Sequence, residues 1–247
     1  MTNKITLQGK MIGIHGPPGI GKTQLAGKFP GPTKLFATEP GYAYLPKQIR
    51  KDAVALPPEA DSWTRFLEGI DHTAQEKNIK TVVLDTAGGL FDICQLWTCR
   101  KMGIEHPSDA GHGKGWDGLK TEFLRGMGKL AWATNRLKAT FIFICHSKTV
   151  TLETKTSSFE KIMLNLTGTA RGVLVPVPDH IWFMGYAEKH AALDGETAKR
   201  ALYLDGSAGV EAKCRDPRIS TTYIAPLKKN KPYEQIISVL NTKKKET

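Results

Sequence analysis

Cysteine is scarce: Cys94, Cys99, Cys145 and Cys214 are the four in 247 residues, and they form neither a C-x-x-C pair nor a zinc-ligand spacing. That excludes a disulfide-stapled scaffold and a zinc ribbon, and sets the expectation of a reducing, cytoplasmic setting. No apolar run reaches the ~18 residues of a membrane span, so no membrane partner is expected. The opening "MTNKITLQGK" lacks the apolar core of a signal peptide. Repeats and low-complexity stretches are missing as well, which argues against a solenoid or a linker-rich chain. Acidic residues are in deficit, 24 against 35 Lys and Arg, for a formal charge of +11. This balance favours a polyanionic partner, although a basic surface also serves solubility alone. What is present is enough for a core: 40% of residues are hydrophobic, and the length suits one large α/β domain spanning 1–247.

The most informative stretch is "HGPPGIGKTQLAGKF". Gly16, Gly21, Lys22 and Thr23 fit G-x-x-x-x-G-K-[ST]. An apolar run, "KMIGIH", precedes it, and a helix-forming run follows that stops before Pro30. Strand, glycine loop and helix are the context that makes this pattern a phosphate cradle. Pro17 and Pro18 have no N–H, so the donors facing the phosphates are expected from Gly19, Ile20, Gly21, Lys22 and Thr23, with Gln24 next on the helix. Lys22 would bridge the β and γ phosphates of a nucleotide, and Thr23 would ligate Mg²⁺.

The rest of the chain alternates short apolar runs with helical patterns, which predicts a mainly parallel central sheet flanked by helices. "KLFATE" and "KTVVLDT" read as strands, and "ATFIFICHS" is the most apolar strand of all. "DSWTRFLEGIDHTAQ" places Trp63, Phe66, Leu67, Ile70 and Ala74 on one helical face, with Asp61 or Ser62 as N-cap. A helix is expected around "LFDICQLW", and a long one carrying Leu119, Phe123, Leu130 and Leu137. Between these lies a polar loop, near 100–115, holding His106 and His112; these read as solvated rather than metal-bound. The stretch 148–175 reads as a mobile loop or hairpin. A late hairpin, "RALYLDGSAGVEAKCRD", and a short helix, "PYEQIISVLN", occupy about 200–241, and "NTKKKET" reads as a frayed tail.

Several polar residues fall at strand ends, the edge where open α/β sheets bind ligands. Asp85 ends an apolar strand, as a carboxylate of the Mg²⁺ shell does; the plain alternative is a helix N-cap. Thr86 beside it could orient a water. Glu39, at the end of the strand after the phosphate-loop helix, is placed to polarise a water for in-line attack; the alternative is an exposed turn glutamate. His146 ends another central strand and could report the γ-phosphate to the following loop, or be structural. Lys213 and Arg215 form K-x-R with both side chains on one strand face, suited to a finger reaching a neighbouring subunit's nucleotide, or simply a solvated face.

With these residues in place the chain resembles the RecA-like core ATPases, and most closely the phage-encoded branch that includes single-strand annealing proteins. The resemblance rests on "GPPGIGKT", "ATEPGY", "TVVLDT", "GKGWDGLKTEF", "FIFICHSK" and "AKCRD" and covers nearly the whole chain. It implies a RecA-like fold, ATP hydrolysis at the interfaces of a homo-oligomer, and single-stranded DNA bound through two loops, near 100–115 and 148–175. The expected DNA contacts are Arg100, Lys101, Lys114, Lys148, Lys155, Lys161 and Arg171, with Phe159 as a stacking platform or packed under its own loop. A single-strand-binding protein would be a natural partner, and a bacterial host cytoplasm the setting. Two departures stand out: no N-terminal filament-assembly domain is seen, and His146 replaces the glutamine usual in RecA itself. The competing readings are a nucleotide-dependent loader for another replication protein and a small-molecule kinase. The kinase is disfavoured because the long loop offers only Arg171 where an arginine-rich lid is needed.

Overall fold

The computed structural model describes residues 4–155, 157–187 and 199–242. Its centre is a sheet of mixed direction. Strands β1 (Met11–Gly16), β2 (Thr33–Ala37), β3 (Val54–Ala55), β4 (Thr81–Asp85), β5 (Thr140–Glu153), β7 (His180–Tyr186), β8 (Arg200–Tyr203) and β10 (Tyr223–Ile224) lie in the order β10-β8-β7-β1-β5-β4-β2-β3. From β3 to β7 every neighbouring pair is parallel, and β8 and β10 add antiparallel. Two further strands branch off this path: β6 (Ser158–Leu164) on β5 and β9 (Lys213–Cys214) on β7.

The strands read as near-continuous apolar runs because both faces are covered. Alternation sends Phe36, Val82, Leu84, Phe141, Phe143 and Ile181 to one side, against α3 (Asp61–Gln75), α4 (Ala87–Met102) and α5 (Lys114–Leu137). Ile12, Ile14, Leu35, Val83, Ile142, Ile144, Trp182 and Met184 point to the other, against α1 (Lys22–Ala26), α2 (Lys47–Arg50) and α7 (Pro232–Leu240). Helix α3 covers the range its periodicity predicts, with Trp63, Phe66, Ile70 and Ala74 buried and Leu67 half-buried. Its capping differs: Asp61 is already inside the first turn, the N-cap is Ala60, and no side chain caps it. Asp61 instead pairs with Arg100.

Two expectations about the later chain need correction, and a third resolves between its alternatives. The stretch near 100–115 is not one open loop. Arg100 and Lys101 form the last turn of α4, two short 3₁₀ turns follow at Pro107–Asp109 and Gly111–Gly113, and Lys114 opens α5. Basic residues suit the last turn of α4 because they face its carbonyl end. For the stretch 148–175 the structure takes the hairpin reading and adds a short helix. The β5–β6 hairpin holds seven cross-strand pairs, from Ser147↔Leu164 to Glu153↔Ser158, and α6 (Gly168–Leu174) follows with Thr167 as its cap. The late strands form no hairpin with each other: β8 and β9 both pair antiparallel with β7. The signals for two strands were sound, but pairing between non-adjacent segments is set by tertiary contacts. The tail from 243 onward lies outside the described residues.

Candidate functional site

The register brings the loop and strand ends together at the carboxyl edge of the sheet. Gly16, at the end of β1, lies beside His146 of β5, and Asp85, at the end of β4, lies beside Ala37 of β2 and Ile144 of β5. Glu39 stands two residues past β2, immediately before a 3₁₀ turn, Pro40–Tyr44. A cavity of about 230 Å³ is lined by Gly19, Gly21, Lys22, Thr23, Gln24, Glu39, Gly41, Tyr44, Asp85, Thr86 and His146. Residues scattered over more than a hundred positions thus meet in one concavity.

The loop needs glycine for two separate reasons. At Gly16 a Cβ would stand 2.2 Å from the carbonyl oxygen of Met184, so the backbone of β7 leaves no room. Gly21 has φ +101°, strained for an L side chain, and a Cβ there would lie 2.5 Å from the guanidinium of Arg200. Ile20 is buried in the core beneath the loop and anchors it. Gln24 is exposed on α1.

The Lys22 ammonium is buried and donates to the carbonyls of Gly16 and Pro17, both at 2.9 Å. Burial lowers its pKa, partly offset by the carboxylates of Asp85 and Glu39. Thr23 Oγ1 donates to Asp85 Oδ2 at 2.6 Å. Burial pushes the Asp85 carboxyl above the usual range, against the pull of that hydrogen bond. A hydroxyl and a carboxylate side by side are hard oxygen donors, the kind Mg²⁺ takes. Among the described residues no group of three or more His, Cys, Asp and Glu could hold a metal by itself. Two protein oxygens leave most positions of an octahedral ion to other ligands. His106 caps the Pro107–Asp109 turn, with Nδ1 2.6 Å from Ser108 Oγ, and His112 is exposed.

Opposite Lys22, Glu39 Oε1 is held from two sides. His146 Nε2 lies 3.0 Å away, and Thr86 Oγ1 donates at 3.2 Å. Thr86 is also the N-cap of α4, accepting from the Gly89 N–H, so the helix start fixes its hydroxyl. Thr38 Oγ1 accepts from the Thr86 N–H at 2.9 Å. Glu39 remains partly exposed, able to meet a water from the cavity.

Lys213 and Arg215 reach the same place, as alternation predicts: Lys213 Nζ donates to the carbonyl of Val175 at 2.8 Å, and Arg215 donates to that of Pro176. Neither lines the cavity of its own chain. Of the expected DNA contacts, Arg171 is displaced. Its guanidinium is turned inward in a two-nitrogen pair with Glu211. Arg100 is tied to Asp61, and Lys101 lies over the Trp97 ring. Lys114, Lys148, Lys155 and Phe159 are exposed, and Lys161 is half-buried.

Sequence reasoning passed over Arg200 and Tyr44. Arg200 Nη1 donates to the Ile20 carbonyl at 3.4 Å, above the glycine loop. No local pattern could mark it, since it reaches the loop only because β8 lies beyond β7 in the sheet. Tyr44, 86% exposed, borders both the 230 Å³ cavity and a second one of about 420 Å³ beside α1, which also touches Gln24, Lys28, Arg200, Lys228 and Asn230. The signal was available in "EPGYAY", where two aromatics follow Glu39 closely.

All four cysteines are free thiols. No described helix is long and apolar enough to cross a membrane. A family model described as an AAA domain (AAA_24) matches residues 8–215. Among curated proteins, none matches the chain.

Proposed function

The chain belongs to this AAA-domain family of P-loop NTPases, and from that premise we propose that it binds and hydrolyses ATP with Mg²⁺ and acts on single-stranded DNA as a RecA-like protein of recombination or single-strand annealing. One observation carries the hydrolytic part. A carboxylate, Glu39, is oriented by His146 and Thr86 within the cavity that also holds Lys22, Thr23 and Asp85. In this reading backbone N–H groups of Gly19 to Thr23 and the Lys22 ammonium cradle the phosphates. Thr23 and Asp85 would hold Mg²⁺, which would supply charge neutralisation for the phosphates. Glu39 orients and deprotonates the attacking water, and His146, sharing its oxygen, responds to the γ-phosphate. The nucleoside extends past Gln24 and Tyr44 into the cavity beside α1. Lys213 and Arg215, which do not line their own chain's cavity, serve a neighbouring copy in a homo-oligomer.

The DNA part rests on the β5–β6 hairpin. Residues directly opposite in an antiparallel pair share a face. One face carries Lys148, Met163, Val150, Lys161, Leu152 and Phe159. The other carries Thr149, Ile162, Thr151, Glu160, Glu153 and Ser158. Both lysines and the aromatic fall on one side, and both glutamates on the other. A cationic face with an exposed ring suits unpaired bases on a phosphate backbone. The hairpin begins one residue after His146, so a response at the phosphate has a short route to it. The deciding experiment is ATP turnover with and without a single-stranded oligonucleotide, alongside a size measurement. Turnover stimulated by the oligonucleotide supports the proposal. Turnover indifferent to it leaves an ATPase without the DNA role, and no turnover refutes the hydrolytic reading.

A further inference from the structure

His15 stands directly before Gly16, at the head of the phosphate loop, and its side chain is completely buried. Nothing in the nucleotide chemistry above uses it. Its Nε2 lies 2.6 Å from the carbonyl oxygen of Glu211, and its Nδ1 lies 2.9 Å from Ser147 Oγ. A carbonyl can only accept, so Nε2 carries the proton, and Nδ1 accepts from the serine hydroxyl. Burial pushes the imidazole pKa down to about 4, which keeps the ring neutral and in that single tautomer at neutral pH.

Glu211 is the other half of the connection. Its carboxylate receives the Arg171 guanidinium of α6 and the Leu164 N–H of β6. Its own N–H donates to the Ile162 carbonyl, and the Ile162 N–H donates to Gly209. The segment 209–211 thereby extends the hairpin by its outer edge, through the Ile162–Val210 bridge. Two residues later the chain reaches Lys213. Ser147, on the other side of the imidazole, follows His146 and faces Leu164 across the hairpin. One buried ring therefore touches the strand that bears His146 and the segment that leads to Lys213 and Arg215.

We infer that His15 is a positioning residue that ties the phosphate-loop strand to β6 and to the 209–215 segment, so that seating a nucleotide tightens both. The inference rests on the nucleotide-binding part of the proposed function and not on the DNA part.

The test is amide hydrogen exchange on the full chain, with and without Mg²⁺ and a non-hydrolysable ATP analogue, with analogue affinity measured in parallel. In the wild type, amides of 158–164 and 209–215 should slow by about tenfold or more on binding, as local opening is suppressed. His15→Gln can still donate to the Glu211 carbonyl and should keep most of this slowing. His15→Asn, too short to reach it, should bind the analogue within about threefold of wild type but lose the slowing in both segments. Ser147→Ala removes the Nδ1 partner without disturbing the buried ring, and should weaken the response; it stays informative if a His15 variant fails to fold. A His15→Asn protein that binds and protects both segments like the wild type overturns the inference, as does a wild type that binds the analogue without slowing either segment. A wild type that binds no analogue refutes the nucleotide reading instead.

Discussion

Replacing Glu39 by Gln isolates one proton-accepting oxygen. Glu39 Oε1 is the shared partner of His146 Nε2 and Thr86 Oγ1, and a glutamine can present its carbonyl oxygen at that point. What it cannot do is take a proton from water. General bases contribute about 10²- to 10⁴-fold, so turnover should fall by at least about 10², or about 2.7 kcal/mol at 1.36 kcal/mol per decade. Nucleotide affinity should hold or rise. Lys22, Thr23 and Asp85 keep their places, and a negative charge is removed from a cavity meant for phosphates. Fold stability should change little, because the carboxylate is partly exposed and a typical hydrogen bond contributes only about 1 kcal/mol. Phosphate release gives the rate, and a fluorescent nucleotide gives the affinity. Wild-type turnover by Glu39→Gln protein would sink the assignment of the base.

Lys22→Ala should lose nucleotide binding, or at least productive contact with the γ-phosphate, as read by the same fluorescent nucleotide. Arg215→Ala should bind ATP normally and hydrolyse it poorly; mixing it with Glu39→Gln protein should restore activity, and no recovery despite proven subunit mixing would count against a role in trans. On the hairpin, Lys148→Ala and Lys161→Ala should each flatten the dependence of log affinity on log salt by about 0.7 for a single-stranded oligonucleotide, and Phe159→Ala should cost about 1–3 kcal/mol of stacking. Arg171→Ala should leave that salt slope unchanged and instead lower the melting temperature, since it strands the Glu211 carboxylate. For His15 the native pKa is depressed from 6.5 to about 4. The unfolded chain therefore binds the extra proton between those values, and stability falls as pH drops through that window, by up to about 3 kcal/mol. Denaturant titrations at pH 7 and pH 4.5 should show a smaller loss for His15→Gln than for the wild type.

The phosphate loop, the alternating strands and α3 were legible because each is specified within a dozen residues. "GPPGIGKT" needs no partner to be read, and Trp63, Phe66, Ile70 and Ala74 declare a helical face by spacing alone. Asp85 and Glu39 could be placed at the sheet edge because a strand's end follows from its apolar run. The second half of the hairpin was harder to read, since polar, half-exposed strands such as β6 lack strong apolar alternation. Arg171 is hard to read for a related reason: a basic residue in a polar stretch looks solvated until the distant Glu211 arrives beside it. Arg200 and His15 owe their places wholly to strand order, which no local pattern encodes.

The sheet ends, among the described residues, in two strands of two residues each, β3 on one side and β10 on the other. Strands that short offer hardly any free backbone ladder for another chain to extend, which is how natural sheets resist edge-to-edge aggregation. At these two ends, copies in the proposed homo-oligomer would meet through side chains on loops and helix faces rather than by extending the sheet. Contacts of that kind can be remade as a subunit turns, whereas a continuous backbone ladder would lock neighbouring copies in a single orientation.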